Sequence, residues 1–179
     1  LSLMKILGAA AISHNLAAAA EFCDKLIVAV GFKSALIREH LGSKFNGKDI
    51  IYVEVMPDDP IAAAVKACSK FCRDELLILS DKHIYSPADV KNIAVNPGSR
   101  LICEDGDCGA YSFDDDNGQQ ILTSGFDAEA SKLKTRGIND YCLPLQYPWH
   151  ILEANVFLLR RFEGFANKGE VSPNAVIKG

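Results

Sequence analysis

The sequence predicts an α/β protein, a three-layer α/β/α sandwich built around a mostly parallel sheet. Three apolar runs have the pattern of strands buried on both faces, at about Leu26–Val30, Ile50–Val55 and Leu76–Leu79. Amphipathic segments of about ten residues separate them, which is the alternation expected of right-handed βαβ units. The 179 residues suit one domain, and an apolar content of 49% is that of an ordinary globular protein.

The helices between these strands are located by their start and stop residues. The alanine-rich segment "AAAISHNLAAAAEFC" has apolar residues at helical spacing and precedes the first strand. The segment "KSALIREHLG" follows that strand and ends at Gly42, a helix C-cap. Pro60 lies in the first turn of "IAAAVKACSKFC", and Ser86 with Pro87 begins "SPADVKNIA" as N-cap and first helical residue.

From Arg100 the pattern changes to alternating apolar and polar residues. The segments "RLICED" and "GAYSF" predict strands, and the run Asp114 to Gly118 predicts a hairpin turn that extends the sheet with antiparallel strands. A metal site is the other interpretation of this acidic run, but its residue types are those of turns. A final helix begins after Pro148, with Trp149 predicted as a core anchor and further apolar positions at Ile151, Leu152, Val156, Leu158 and Leu159.

Charge and cysteine content exclude several classes of protein. The net charge of −4 gives no basic footprint for nucleic acid, and no apolar run approaches the length of a membrane span. The apolar N-terminus is interrupted by "SHN", so we expect no signal peptide and a cytoplasmic protein. The six cysteines lie mostly in apolar or helical contexts in a chain that needs no cross-links, which predicts reduced, free thiols.

The order of several segments matches a known family. The runs "CDKLIVAVGFKSALIREHLG", "IIYVEVMPDDPIAAAVKAC" and "ELLILSDKHIYSPADV" together resemble the core of sugar-phosphate nucleotidyltransferases. The segment "YPWHILEANVFLLRR" resembles the Pro-Trp-Asp-Leu-Leu-x-Ala-Asn helix of archaeal-type members, in which a left-handed β-helix of hexapeptide repeats follows. The resemblance implies a nucleotide-diphospho-sugar transferase-like domain over residues 1–165 and the first β-helix coil over residues 166–179.

The resemblance implies a reaction and its partners. Members of this family transfer a nucleotidyl group from a nucleoside triphosphate to a sugar 1-phosphate and release pyrophosphate. Both substrates are anionic, so a Mg²⁺ ion held by carboxylates is needed to neutralise them. A Gly-rich loop brings backbone N–H groups to the phosphates, and a basic residue stabilises the charge on the transferring phosphorus. The sequence does not determine the oligomeric state, and a homo-oligomer is one alternative.

The chain departs from the family pattern at several positions. The Gly-rich loop normally precedes the segment with which this chain starts, so we expect the 179 residues alone to be inactive. Ala9 and Ala10 replace a Lys-Pro pair, Lys82 occupies the position of a metal-binding carboxylate, and His150 stands where many members carry Asp or Asn. These departures leave a second interpretation, a non-catalytic relative that binds a sugar nucleotide or regulates a partner.

The turn after the third apolar run is the first candidate site. Ligands of open α/β sheets bind beyond the carboxyl ends of the strands, which makes Asp81 the candidate Mg²⁺ ligand. Lys82 is the candidate catalytic residue through contact with a phosphate, and His83 is a candidate substrate-binding residue. A solvated carboxylate, a surface lysine and an ordinary polar loop histidine are the alternative interpretations.

Two further segments complete the candidate site. Asp58 and Asp59 lie in the turn where members of the family hold the base and ribose, so the resemblance implies substrate binding, while helix capping is the structural alternative. Gly109 resembles the glycine that begins the sugar-side strand, where the backbone must approach a hexose closely. Otherwise Gly109 is a hairpin glycine.

Overall fold

The computed structural model describes residues 1–32, 34–56, 61–71, 75–104 and 106–161, with the backbone alone at 117–119 and 122–123. Within these ranges the strands are β1 Lys5–Ile6, β2 Ala9–Ala10, β3 Leu26–Val30, β4 Lys44–Phe45, β5 Lys48–Glu54, β6 Leu76–Leu79, β7 His83–Tyr85, β8 Ser99–Cys103, β9 Gly106–Phe113, β10 Lys134–Gly137 and β11 Cys142–Pro144. The helices are α1 Ala11–Ala20, α2 Ser34–Leu41, α3 Ile61–Cys68, α4 Pro87–Ala94, α5 Asp115–Ser124, α6 Phe126–Ala130 and α7 Pro148–Arg160.

The first two predicted strands form a parallel pair, as expected. β3 and β5 pair from Leu26 opposite Ile50 to Val30 opposite Glu54, and β4 adds a short antiparallel edge to β5. Leu26, Val28 and Val30 are buried in a cluster that also contains Leu41 of α2. The helix between the strands therefore packs back on them, which is the βαβ arrangement that the sequence predicts.

The third predicted strand pairs differently from the other two. β6 is antiparallel to β9, with Leu76 opposite Phe113 and Leu79 opposite Ala110, in a sheet of order β10-β8-β9-β6. Its four residues are half-buried, and no other described strand pairs with it. The prediction of a mostly parallel sheet with a central, fully buried third strand is therefore wrong for the described residues. The sheet of order β10-β8-β9-β6 contains both parallel and antiparallel pairs, because the antiparallel β8–β9 hairpin lies beside β6.

The hairpin turn also lies earlier than the sequence suggested. β8 and β9 pair around residues 104–105, and the run from Asp115 forms helix α5 instead of a turn. The acidic residues Asp115 and Asp116 occupy the first turn of this helix, where the helix dipole favours negative charge. The antiparallel strands in "RLICED" and "GAYSF" were predicted correctly, but the prediction that residues 114–118 form a hairpin turn is wrong.

The last helix is exposed on one side. Pro148 begins α7 as predicted, and Ile151, Ala154 and Leu158 are buried in a cluster with Ile6 and Ile84. Trp149 is 55% exposed, so its prediction as a core anchor is wrong. The helical periodicity identified the apolar residues but could not decide which of them the rest of the fold covers.

Three other predictions concern the chain as a whole. Four of the described cysteines, Cys23, Cys103, Cys108 and Cys142, are free thiols, as expected. No helix in the described part of the chain is long and apolar enough to span a bilayer. The predicted β-helix over residues 166–179 lies outside the described residues, as do Asp58 and Asp59.

Candidate functional site

The turn between β6 and β7 is held by one buried amide from α1. The Asn15 side chain donates hydrogen bonds to the carbonyl of His83 at 2.8 Å and to that of Ser80 at 3.5 Å. Its oxygen accepts a hydrogen bond from the Tyr85 backbone N–H at 3.2 Å. Because α1 is rich in alanine, it can approach the turn closely enough for this short side chain to reach both of its sides. Asn15 therefore connects α1 to both sides of the turn and fixes the backbone that carries Asp81 and Lys82.

Gly109 lies directly beside the end of β6. The Ser80 backbone N–H donates to the Gly109 carbonyl at 2.9 Å. Gly109 has φ +69°, and a Cβ at this position would lie 2.7 Å from the Ser80 Cβ. The close neighbour of Gly109 within the chain is therefore the turn that carries Asp81, and the predicted approach of a hexose to Gly109 stays a prediction. Tyr85 supports this contact because its hydroxyl donates to the Cys108 carbonyl at 2.7 Å.

Asp81 and Lys82 both project from the tip of the turn. Both are exposed, and the Asp81 Oδ2 accepts a hydrogen bond from the Ser2 hydroxyl at 3.2 Å. The backbone of Lys82 is fixed on both sides, because its N–H donates to the Ser80 hydroxyl and its carbonyl accepts from Leu145 N–H. Among the described ion pairs none joins Asp81 to Lys82, so both charges remain accessible to a ligand.

His83 extends the site towards Asp107 on β9. Its pKa lies below the ordinary value because burial disfavours the charged imidazolium, and the nearby Asp107 opposes this shift while Lys82 and His150 add to it. The His83 Nδ1 is buried without a hydrogen-bond partner. Asp107 forms an ion pair with Arg100 at 3.2 Å and accepts a hydrogen bond from the Gly109 N–H at 2.8 Å.

Sequence reasoning missed two residues of this arrangement, Asn15 and Asp107. Asp107 precedes Gly109 by two residues, which is the spacing of an Asp side chain that accepts from the backbone two positions further on. That local signal was present in the sequence. The contact of Asn15 with His83 joins residues 68 positions apart, and no local pattern indicates it.

We expect His83 to make stability depend on pH. With its pKa below 6.5 in the folded state, the unfolded chain binds this proton more readily. The free energy of unfolding should therefore be highest above the unfolded pKa and fall as the pH decreases through the lower folded pKa. Urea denaturation between about pH 5 and 8 measures this slope. His83→Gln should flatten it, whereas His40→Gln on α2 should leave it unchanged. Equal slopes in wild type and His83→Gln would contradict the expectation.

The carboxylates near the turn offer few ligands for Mg²⁺ among the described residues. Within the described ranges, no three His, Cys, Asp or Glu side chains converge where a metal ion would fit. Mg²⁺ is commonly held by one or two carboxylates together with substrate phosphates. Asp81 suits such a site as a single protein ligand, because it is exposed and one described hydrogen bond reaches its Oδ2. The described residues by themselves therefore provide part of a metal site.

Comparison with solved structures identifies the fold. The chain superposes with TM-score 0.70 and 14% identity on a Bacillus anthracis protein assigned as a glucose-1-phosphate thymidylyltransferase and solved with sucrose, covering 92% of this chain and 87% of that one. It superposes with TM-score 0.66 and 9% identity on a UDP-glucose pyrophosphorylase from Acinetobacter baumanii, covering 87% and 84%. No family model and no curated protein matches the sequence. The chain has the fold of the sugar-phosphate nucleotidyltransferases.

Proposed function

We propose that this chain belongs to an enzyme that transfers a nucleotidyl group from a nucleoside triphosphate to a sugar 1-phosphate. The observation that carries the proposal is the likeness to two proteins named for this type of reaction, over most of each chain. The β6–β7 turn supports it, because it presents one carboxylate and one amine on a braced backbone. Such a pair suits a site for anionic substrates and a divalent cation.

The residues of the turn have distinct roles in this proposal. Asp81 would hold Mg²⁺ jointly with the substrate phosphates, where the bound ion would supply neutralisation of their charge. The exposed Lys82 amine contacts a phosphate oxygen and stabilises negative charge there. His83 is half-buried beside the turn and is the substrate-binding residue of this proposal, and burial lowers its pKa and so favours the neutral imidazole. Gly109 lets the end of β6 lie against β9 and so sets the position of all three.

The charges of the turn also favour a second function, binding without catalysis. The turn places a cation next to its single acidic residue, and the described residues provide no three-ligand metal site. This arrangement also suits a non-catalytic relative that binds a nucleotide sugar without turnover. Asp58 and Asp59, proposed to accept hydrogen bonds from the ribose, lie outside the described residues and do not discriminate between the two functions.

The decisive experiment measures pyrophosphate release. The 179 residues, and the same chain extended upstream in its own reading frame, are incubated with panels of nucleoside triphosphates and sugar 1-phosphates with and without Mg²⁺. We expect no release above a protein-free control from the 179 residues, because orientation and charge stabilisation both need a phosphate loop. We expect Mg²⁺-dependent release from the extended chain, with one nucleotide sugar formed for each pyrophosphate.

Two variants of the extended chain connect this result to the site. Asp81→Asn should lower turnover at least about tenfold through loss of the metal ligand. Asp116→Asn, an exposed acid in the first turn of α5, should have no effect. Binding of nucleotide sugar without pyrophosphate release would favour the non-catalytic function. Neither binding nor release with any substrate of the panel would refute both.

A further inference from the structure

Helix α7 is apolar on two opposite sides, although one of them is exposed. The inner side, Ile151, Ala154 and Leu158, packs in the core. The outer side consists of Trp149, Leu152, Val156 and Leu159, which we call the α7 stripe. These four side chains are 55%, 69%, 47% and 58% exposed. A helix that is apolar all round is normally buried, so the α7 stripe has the character of an interface.

The spacing of the α7 stripe is that of a two-helix seam. Its residues follow one another at intervals of three, four and three, which are the a and d positions of consecutive heptads. Tyr147 extends the apolar surface at one end, because its ring stacks on that of Trp149 with centroids 4.5 Å apart. The stripe is therefore long enough to pack along a second helix over about three turns.

The charges beside the stripe select the orientation of that second helix. Glu153 and Arg160 are exposed on the same edge of α7, one heptad apart, and neither forms an ion pair among the described residues. If a second α7 lies antiparallel, Trp149 is level with Leu159 of the second copy, and Leu152 with its Val156. Side chains on a helix lean towards its N-terminus, so Glu153 and Arg160 of opposite copies lean towards each other.

We propose that the α7 stripe docks antiparallel on the same stripe of a second copy of this chain, forming a symmetric dimer. Self-complementarity of the stripe is the requirement of a two-fold interface, and the Glu153–Arg160 pairs occur twice in it. The exposed parts of five mostly large side chains present on the order of 500 Å² per copy, below the roughly 800 Å² of a standard interface. The dimer is therefore reversible and depends on protein concentration.

The experiment uses sedimentation velocity of the 179-residue chain over a concentration series, together with fluorescence of Trp149. Trp149 is the single tryptophan of the chain, so its emission reports on the stripe alone. We expect a monomer–dimer equilibrium in which the emission moves to shorter wavelength as the dimer forms. Val156→Lys should abolish dimerisation, while Val95→Lys, an equally apolar exposed position at the end of α4, should not.

Reversal of the two charges tests the orientation. Glu153→Arg and Arg160→Glu should each raise the dissociation constant about fivefold to tenfold, and the double reversal should restore it. Restoration also excludes a folding defect as the cause. A chain that stays monomeric at all concentrations would overturn the proposal and assign the stripe to residues 162–179 or to another protein. A dimer that Val156→Lys leaves intact would overturn it as well.

Discussion

Asp89→Ala is expected to lower the free energy of unfolding by roughly 3–5 kcal/mol, the largest loss that we predict for a single residue. The Asp89 side chain is fully buried, and the residue lies in the first turn of α4. Its oxygens accept backbone N–H hydrogen bonds from Asn139 at 2.6 Å and from Asp140 and Tyr141, both at 3.1 Å. Alanine would leave these three partly buried donors without their acceptor.

The same carboxylate connects the N-terminus of α4 to the candidate site. The Ser86 hydroxyl donates to Asp89 at 2.6 Å, and Ser86 in turn caps the helix by accepting from the Asp89 N–H at 3.0 Å. Residues 139–141 lead directly into β11, which pairs with β7, and Leu145 then donates to the Lys82 carbonyl. We therefore expect Asp89→Ala to loosen the β6–β7 turn in addition to lowering stability.

Urea denaturation followed by circular dichroism measures this loss. Asp49→Ala is the matched control, because Asp49 forms an exposed ion pair with Lys44 at 3.1 Å. Exposed pairs of this kind contribute little, so we expect a loss below about 1 kcal/mol for the control. Similar losses in the two variants would show that the hydrogen bonds of Asp89 do not carry the stability that we assign to them.

Gly109→Ala is expected to cost about 3 kcal/mol, of which the backbone conformation explains roughly 1 to 2 and a steric clash the rest. The clash partner is the Ser80 Cβ, 2.7 Å from the added methyl group. A Cβ is fixed to the backbone, so rotation of the Ser80 side chain cannot relieve the contact. Either β6 or β9 must shift, and we expect ligand binding at the turn to weaken together with stability.

A matched glycine separates the two causes. Gly42 has φ +68°, almost equal to the +69° of Gly109, and nothing lies within 4 Å of the position that its Cβ would take. Gly42→Ala therefore measures the conformational cost alone. In a Ser80→Gly background, Gly109→Ala should cost no more than Gly42→Ala, because the clash partner is gone. Thermal and urea denaturation of these variants give the comparison, and an equal cost for both glycines in the wild-type background would exclude the clash.

The sequence by itself determined those elements whose signals lie within a few residues. Local conformational preferences explain the apolar runs of β3, β5 and β6, the Ser86-Pro87 start of α4 and the Pro148 start of α7. Each of these depends on backbone geometry or periodicity, which a short segment sets by itself.

Tertiary structure alone decided which surfaces those elements share. The antiparallel pairing of β6 with β9, the support of the turn by Asn15 and the approach of Asp107 to His83 all join residues far apart in the chain. An apolar residue in a periodic pattern favours burial, but the pattern does not specify what covers it. For this reason the exposed side of α7 could not be distinguished from its buried side until the packing of the whole chain was known.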